Sequence, residues 1–154
     1  MSIDSYKEEL LNSPSKKSEN VYQRVADAFE DDLLEFDDFP PKYFDFVLEL
    51  LSDKDFYSKP GLWNFLLVIG TESHKLERSH YEKLSNTISE SYGEYIDEDL
   101  CLAVCDFIAR NYDYEEAKKL LLSLAEKEKD MSESGFAFDG LRILELEKQR
   151  ANQK

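Results

Sequence analysis

The chain has 154 residues, and 34 Asp and Glu against 19 Lys and Arg leave it with a net charge of −15. The mean field of such a protein repels phosphate backbones and anionic membrane surfaces, which excludes binding by phosphate neutralisation. Hydrophobic residues at 42% and aromatic residues at 13% exclude a disordered acidic chain, and the length suits one domain with one core.

Helical periodicity recurs along the chain and strand-like alternation is nearly absent, so the expected class is all-α. A short helix over about 4–11 leads into the polar connector Asn12-Ser13-Pro14-Ser15-Lys16-Lys17-Ser18, and these first 18 residues are expected to pack loosely. A longer helix over about 20–36 places Val21, Val25, Ala28, Phe29 and Leu33 on its apolar face. Pro40-Pro41 ends it and opens the next, which buries Phe44, Val47, Leu48 and Leu51. From Pro60 another helix carries Leu62, Trp63, Phe65, Leu66 and Ile69, with Gly70 as its stop. Ser79 and Glu82 read as a capping box for a helix to about Tyr92, with Leu84 and Ile88 inward. Asp97 caps a helix bearing Leu100, Cys101, Val104, Cys105, Phe107 and Ile108. Asp113 with Glu116 repeats that logic ahead of Ala117, Leu120, Leu121 and Leu124. Gly135 precedes a last helix over about 136–148, which sends Phe138, Leu141, Ile143 and Leu144 to the core.

Among the last six helices, every second centre recurs after about 35–39 residues. Antiparallel helix pairs stacked as a short array of the HEAT or armadillo type have that spacing, and an irregular helical bundle is the alternative. In the stacked version, turns 53–59, 93–99 and 129–134 share one edge, and turns 37–41, 70–78 and 111–114 share the other.

Motifs that carry chemistry are sparse. The five glycines form neither GxGxxG nor a P-loop. His74 and His80 miss the spacing of HExxH, and a di-metal bundle site would need inward Glu-x-x-His on two helices, which the chain does not supply. Cys101 and Cys105, at i and i+4, read as small buried apolar residues poorly aimed for a disulfide. No apolar run approaches a membrane span and the first residues do not resemble a leader. A cytoplasmic protein without metal, cofactor or catalytic residues is expected.

Two acidic clusters stand out. Glu94, Asp97, Glu98 and Asp99 are interleaved with Tyr92 and Tyr95. Acids at a helix start are stabilised by about 0.3–1 kcal/mol through the dipole, so this cluster has a local explanation. Glu30, Asp31, Asp32, Glu35, Asp37 and Asp38 instead fall in the last turns of a helix, where the dipole disfavours them. A cause other than helix formation is expected to maintain them. A solvated acidic face is one reading. The other is a docking surface that steers a basic partner electrostatically, with Phe36, Phe39, Tyr43 or Tyr95 as aromatic anchors. The candidate contacts are Asp31, Asp32, Glu35, Asp37, Asp38, Glu94, Tyr95, Asp97 and Glu98.

The runs Cys105-Asp106-Phe107-Ile108-Ala109-Arg110-Asn111-Tyr112 and Gly135-Phe136-Ala137-Phe138-Asp139-Gly140-Leu141-Arg142-Ile143-Leu144, with the helix at Tyr81 to Ile88, resemble a known group. That group is the small, acidic, all-helical immunity proteins of bacterial polymorphic-toxin and contact-dependent growth-inhibition systems, and the resemblance spans roughly residues 40–150. It implies a non-enzymatic protein that binds and neutralises a cognate toxin domain, usually a nuclease with a basic substrate groove, without touching nucleic acid itself. The group's toxin contacts vary too much to transfer, so the candidate contacts rest on the charge pattern alone. A helical-repeat adaptor for another protein, or a DNA-mimic inhibitor of a DNA-binding protein, would share these sequence features.

Overall fold

The computed structural model describes residues 2–152. Among these are nine α-helices and no strand. They are α1 (Ile3–Asn12), α2 (Ser18–Leu33), α3 (Pro41–Ser52), α4 (Lys54–Tyr57), α5 (Trp63–Thr71), α6 (Arg78–Ser91), α7 (Glu98–Asn111), α8 (Tyr114–Glu128) and α9 (Phe136–Asn152). Single 3₁₀ turns at Ser73–Lys75 and Tyr92–Glu94 join α5 to α6 and α6 to α7.

Setting aside the one-turn α4, each helix packs on the helix two places further along. One row runs α1, α3, α6, α8 and the other runs α2, α5, α7, α9. This is a short array of stacked helix pairs, and it begins at α1 rather than at α3. Its two edges are stitched by aromatic contacts. Tyr57 and Tyr95 meet at 5.0 Å on one edge, and Tyr81 meets Tyr112 at 5.0 Å on the other. One continuous apolar cluster runs between the rows from Tyr6 to Leu144.

Helix α2 buries Tyr22 and Ala26 beside Val25, Phe29 and Leu33, while the expected Val21 and Ala28 only flank the core. The helix ends at Leu33, three residues before the expected stop, so the later acids stand in a turn. Gly70 does not stop α5; it lies inside the helix with its α-carbon toward α7, where a Cβ would meet the Phe107 ring at 3.8 Å. Helix α6 is capped by Glu77, not by Ser79. The Glu77 backbone N–H donates to His80 Nδ1 at 2.9 Å while the Glu77 carboxylate accepts the His80 backbone N–H. His80 is half-buried, its ring 4.4 Å from that of Phe44. Asp97 caps α7 as expected, but Asp113 makes no side-chain capping bond to α8.

The first 18 residues are held more firmly than expected. Tyr6 and Leu10 are fully buried, and the Ser18 hydroxyl donates to the Pro60 carbonyl at 2.9 Å. The Lys59 ammonium donates to the carbonyls of Leu10, Leu11 and Ser13 at 3.1, 2.7 and 2.9 Å. These carbonyls lie at the end of α1, where the Leu10 carbonyl also accepts the Ser13 N–H at 3.3 Å, and a cation there suits the helix dipole.

Helix α9 runs on to Asn152, and its core face differs from the expected one. Phe138 points outward with 68% of its surface exposed. Gly140 takes the inward place, because a Cβ there would lie 2.9 Å from Leu121 Cδ2 and 3.2 Å from Cys105 Cβ. The close approach of α9 to α7 and α8 leaves room for nothing larger.

Candidate partner-binding surface

A buried lysine and two tyrosine hydroxyls meet the end of α2. Lys75, only 9% exposed, donates from its ammonium to the Leu33 carbonyl at 2.6 Å and sits 3.3 Å from the buried carboxylate of Glu72. A cation is thus built into the last turn of α2, where the dipole favours it. Asp32 accepts hydrogen bonds at the same Oδ2 from the Tyr6 hydroxyl at 2.5 Å and the Tyr43 hydroxyl at 3.0 Å. Burial first, and then the Asp32 contact, pushes both tyrosines above their ordinary range.

Asp32, expected as a partner contact, therefore also ties α1, α2 and α3 together. Asp32→Ala should cost about 1–2 kcal/mol by stranding two hydroxyls, whereas Asp31→Asn should stay within about 0.5 kcal/mol. Urea denaturation of the two variants checks the contrast; equal losses would mean that the tyrosines find water instead.

What remains on the surface is more compact. Asp31, Glu35, Asp37 and Asp38 are exposed, and between them Leu34 and Phe36 are 67% and 42% exposed. Among the described residues, none of these four acids stands within ion-pair distance of a basic side chain. Phe36 rests on the half-buried Tyr43 ring at 5.9 Å, which holds it upright. Phe39 is buried against Phe29 and Phe44, so it is no anchor. Leu34 escaped sequence reasoning because it sits one residue off the α2 apolar face; an apolar residue amid acids was the available signal.

The second cluster divides. Tyr95 is 3% exposed, donates its hydroxyl to the Leu51 carbonyl at 2.6 Å and packs on Tyr57 and Tyr92. Asp97 is half-buried and its Oδ1 accepts the Asp99 N–H at 3.1 Å; burial raises its carboxyl above the usual range. Burial corrects the assignment of Tyr95 as a contact, and Asp97, expected as one too, serves as the cap of α7. Glu94 and Glu98 stay exposed beside Ile96, which is 74% exposed. Gly61 touches the first turn of α2 and Lys75 its last, so α5 runs parallel to α2. Asp97, which feels the Glu19 charge, lies at the start of α2. The two acidic clusters thus occupy opposite edges, separated by about the 24 Å length of a 16-residue helix. They are two surfaces and not one.

Elsewhere the reactive side chains are enclosed. Cys101 and Cys105 are free and buried, which pushes both thiols up to about 12. The Tyr92 hydroxyl lies 3.5 Å from Cys105 Sγ and donates to Glu128 at 2.6 Å, within the core. Among the described residues, no three His, Cys, Asp or Glu side chains converge as a metal site. No helix among them is long and apolar enough to cross a membrane. In comparisons with known proteins, no family model, no curated protein and no solved structure matches the chain.

Proposed function

We propose that this protein is an immunity-type inhibitor, working in the cytoplasm without catalysis, that docks on a basic toxin domain through the turn between α2 and α3. One observation carries the reading: Asp31, Glu35, Asp37 and Asp38 surround the exposed Leu34 and Phe36, and among the described residues no basic side chain pairs with them. Exposed acids accelerate encounter with a cationic surface, and the two apolar side chains supply the desolvated contact that holds the complex once formed. The buried Lys75 and the half-buried Asp32 fasten the end of α2 beneath them, which limits the ordering entropy lost on binding.

The test begins with capture of the basic domain encoded beside this gene and proceeds to association kinetics. Neutralising Asp31, Glu35, Asp37 and Asp38 together should slow association at least about tenfold at low salt and flatten its salt dependence. Dissociation should change little. Phe36→Ala should do the reverse, quickening dissociation with association nearly intact. Unaltered kinetics in both variants would remove this turn from the interface. The stacked-pair array favours one other reading, a helical-repeat adaptor, which such a capture would reveal by returning a partner without toxic activity.

A further inference from the structure

The turn that joins α2 to α3 rests on one side chain. Among residues 34–40 Phe39 alone is buried, and its ring is walled by Phe29 at 6.3 Å, Phe44 at 5.7 Å and His80 at 6.2 Å. His80 also lies 4.4 Å from Phe44, so one imidazole borders both the turn and the start of α3. The same ring completes the cap of α6. In the usual capping box the third helical residue is Glu or Gln, whose side-chain oxygen accepts the N-cap N–H. Here His80 Nδ1 accepts the Glu77 N–H at 2.9 Å, and an imidazole nitrogen accepts only while it carries no proton.

We infer that His80 is a proton-operated latch beneath the α2–α3 turn: neutral, it caps α6 and walls in Phe39; protonated, it frees the Glu77 N–H and loosens the turn's buried anchor. Three features oppose the charged ring. A proton on Nδ1 would face the Glu77 N–H, donor against donor. A positive charge in the first turn of α6 opposes the helix dipole. Half-burial against two phenyl rings strips water from the ring, and this burial lowers the His80 pKa. Of the charges on its own element, Glu77 favours the imidazolium and Lys83 opposes it. The α2–α3 turn and α3 face the ring with Phe39 and Phe44, while their charged Asp37, Asp38, Lys42 and Asp45 are exposed. Because the folded ring takes its proton less readily than the unfolded one, the latch contributes stability above about pH 6.5 and loses it as pH falls below that value. Its consequence for docking rests on the function proposed above, but the latch itself is a property of the free protein.

NMR on the free full chain tests this from about pH 7.5 to about pH 4.5, a range that stays above the ordinary carboxylate values. The His80 ring signal should titrate with a midpoint below the ordinary value of about 6.5. Corrected for the intrinsic pH dependence of exchange, protection of the Glu77 amide, and of the Tyr43 and Phe44 amides that bond to the Pro40 carbonyl, should fall about threefold to tenfold with that same midpoint. Protection in α9 should hold. His80→Gln keeps an acceptor for the Glu77 N–H at every pH and should abolish the step, whereas His74→Gln, at the chain's other histidine, should keep it. A role in packing alone would change stability in His80→Gln without removing a pH step. The latch is overturned by a His80 midpoint at or above about 6.5, by a ring that stays neutral to about pH 4.5, by protection that ignores its titration, or by a step that survives His80→Gln. None of these measurements involves a partner, so failure of the latch leaves the docking turn standing, and failure to capture a basic domain leaves the latch standing.

Discussion

Gly61→Ala is expected to lower the unfolding free energy by about 3 kcal/mol or more, and so to lower Tm by about 6–12 °C in a chain of this size. Gly61 has φ of 115°, a conformation that side-chain-bearing residues rarely adopt. A Cβ there would also lie 2.8 Å from Tyr22 Cβ and 2.9 Å from Glu19 Cα. Neither neighbour can yield. Glu19 Cα is helix backbone, and Tyr22 is fully buried with its hydroxyl donating to the Phe56 carbonyl at 2.8 Å. Backbone strain and overlap each contribute about 1–3 kcal/mol, and the second requires α5 to part from α2. Gly135 separates the two, since its φ is 98° but nothing lies within 4 Å of its would-be Cβ. Gly135→Ala should show the strain alone, roughly half the loss. Equal losses in urea denaturation would mean that α5 slides away freely.

Glu128→Ala is expected to cost about 3 kcal/mol and to loosen α9 before any other helix. Glu128 is 3% exposed and, among the described residues, no Lys or Arg pairs with it. Its Oε1 instead accepts the Tyr92 hydroxyl at 2.6 Å and the Ala137 N–H at 3.0 Å, and Oε2 accepts the Gly135 N–H at 3.2 Å. The last residue of α8 thereby caps the first turn of α9, where the helix dipole favours a negative charge. Alanine would orphan three donors, each at about 1–3 kcal/mol before water relieves part of the loss. Glu128→Gln keeps an acceptor for Tyr92 and Ala137 but turns an NH₂ toward the Gly135 N–H, so about half the loss should remain. Hydrogen exchange should quicken in the first turns of α9 while α2 stays protected. Uniform exchange across both helices would show that the cap is dispensable.

The acidic clusters show how far residue spacing reaches. Their charge, their positions near helix ends and the absence of any catalytic spacing around them are legible in the chain itself. That Asp32 answers two tyrosines while Asp31 answers none is not, because Tyr6 and Tyr43 come from helices 26 residues before and 11 residues after it. The burial of Tyr95 is hidden for the same reason. It stands in a turn amid exposed acids, yet α3 and α4 close over its ring.

By itself, the order of residues determined that the chain is all-helical, which way six of its long helices face and that the chain is acidic, and its spacing offered stacked pairs beside an irregular bundle. Each of these follows from patterns repeating within one helix or from one helix to the second next. The tertiary structure alone decided which polar groups at helix ends are swallowed and which are presented. Lys59, Lys75, Asp32 and Glu128 became internal caps and ties, and Phe138 and Leu34 were left outside. Helical periodicity specifies the side of a helix that faces the core. The fate of its ends depends on which loop or neighbouring row arrives there, and that is settled only when the whole array closes.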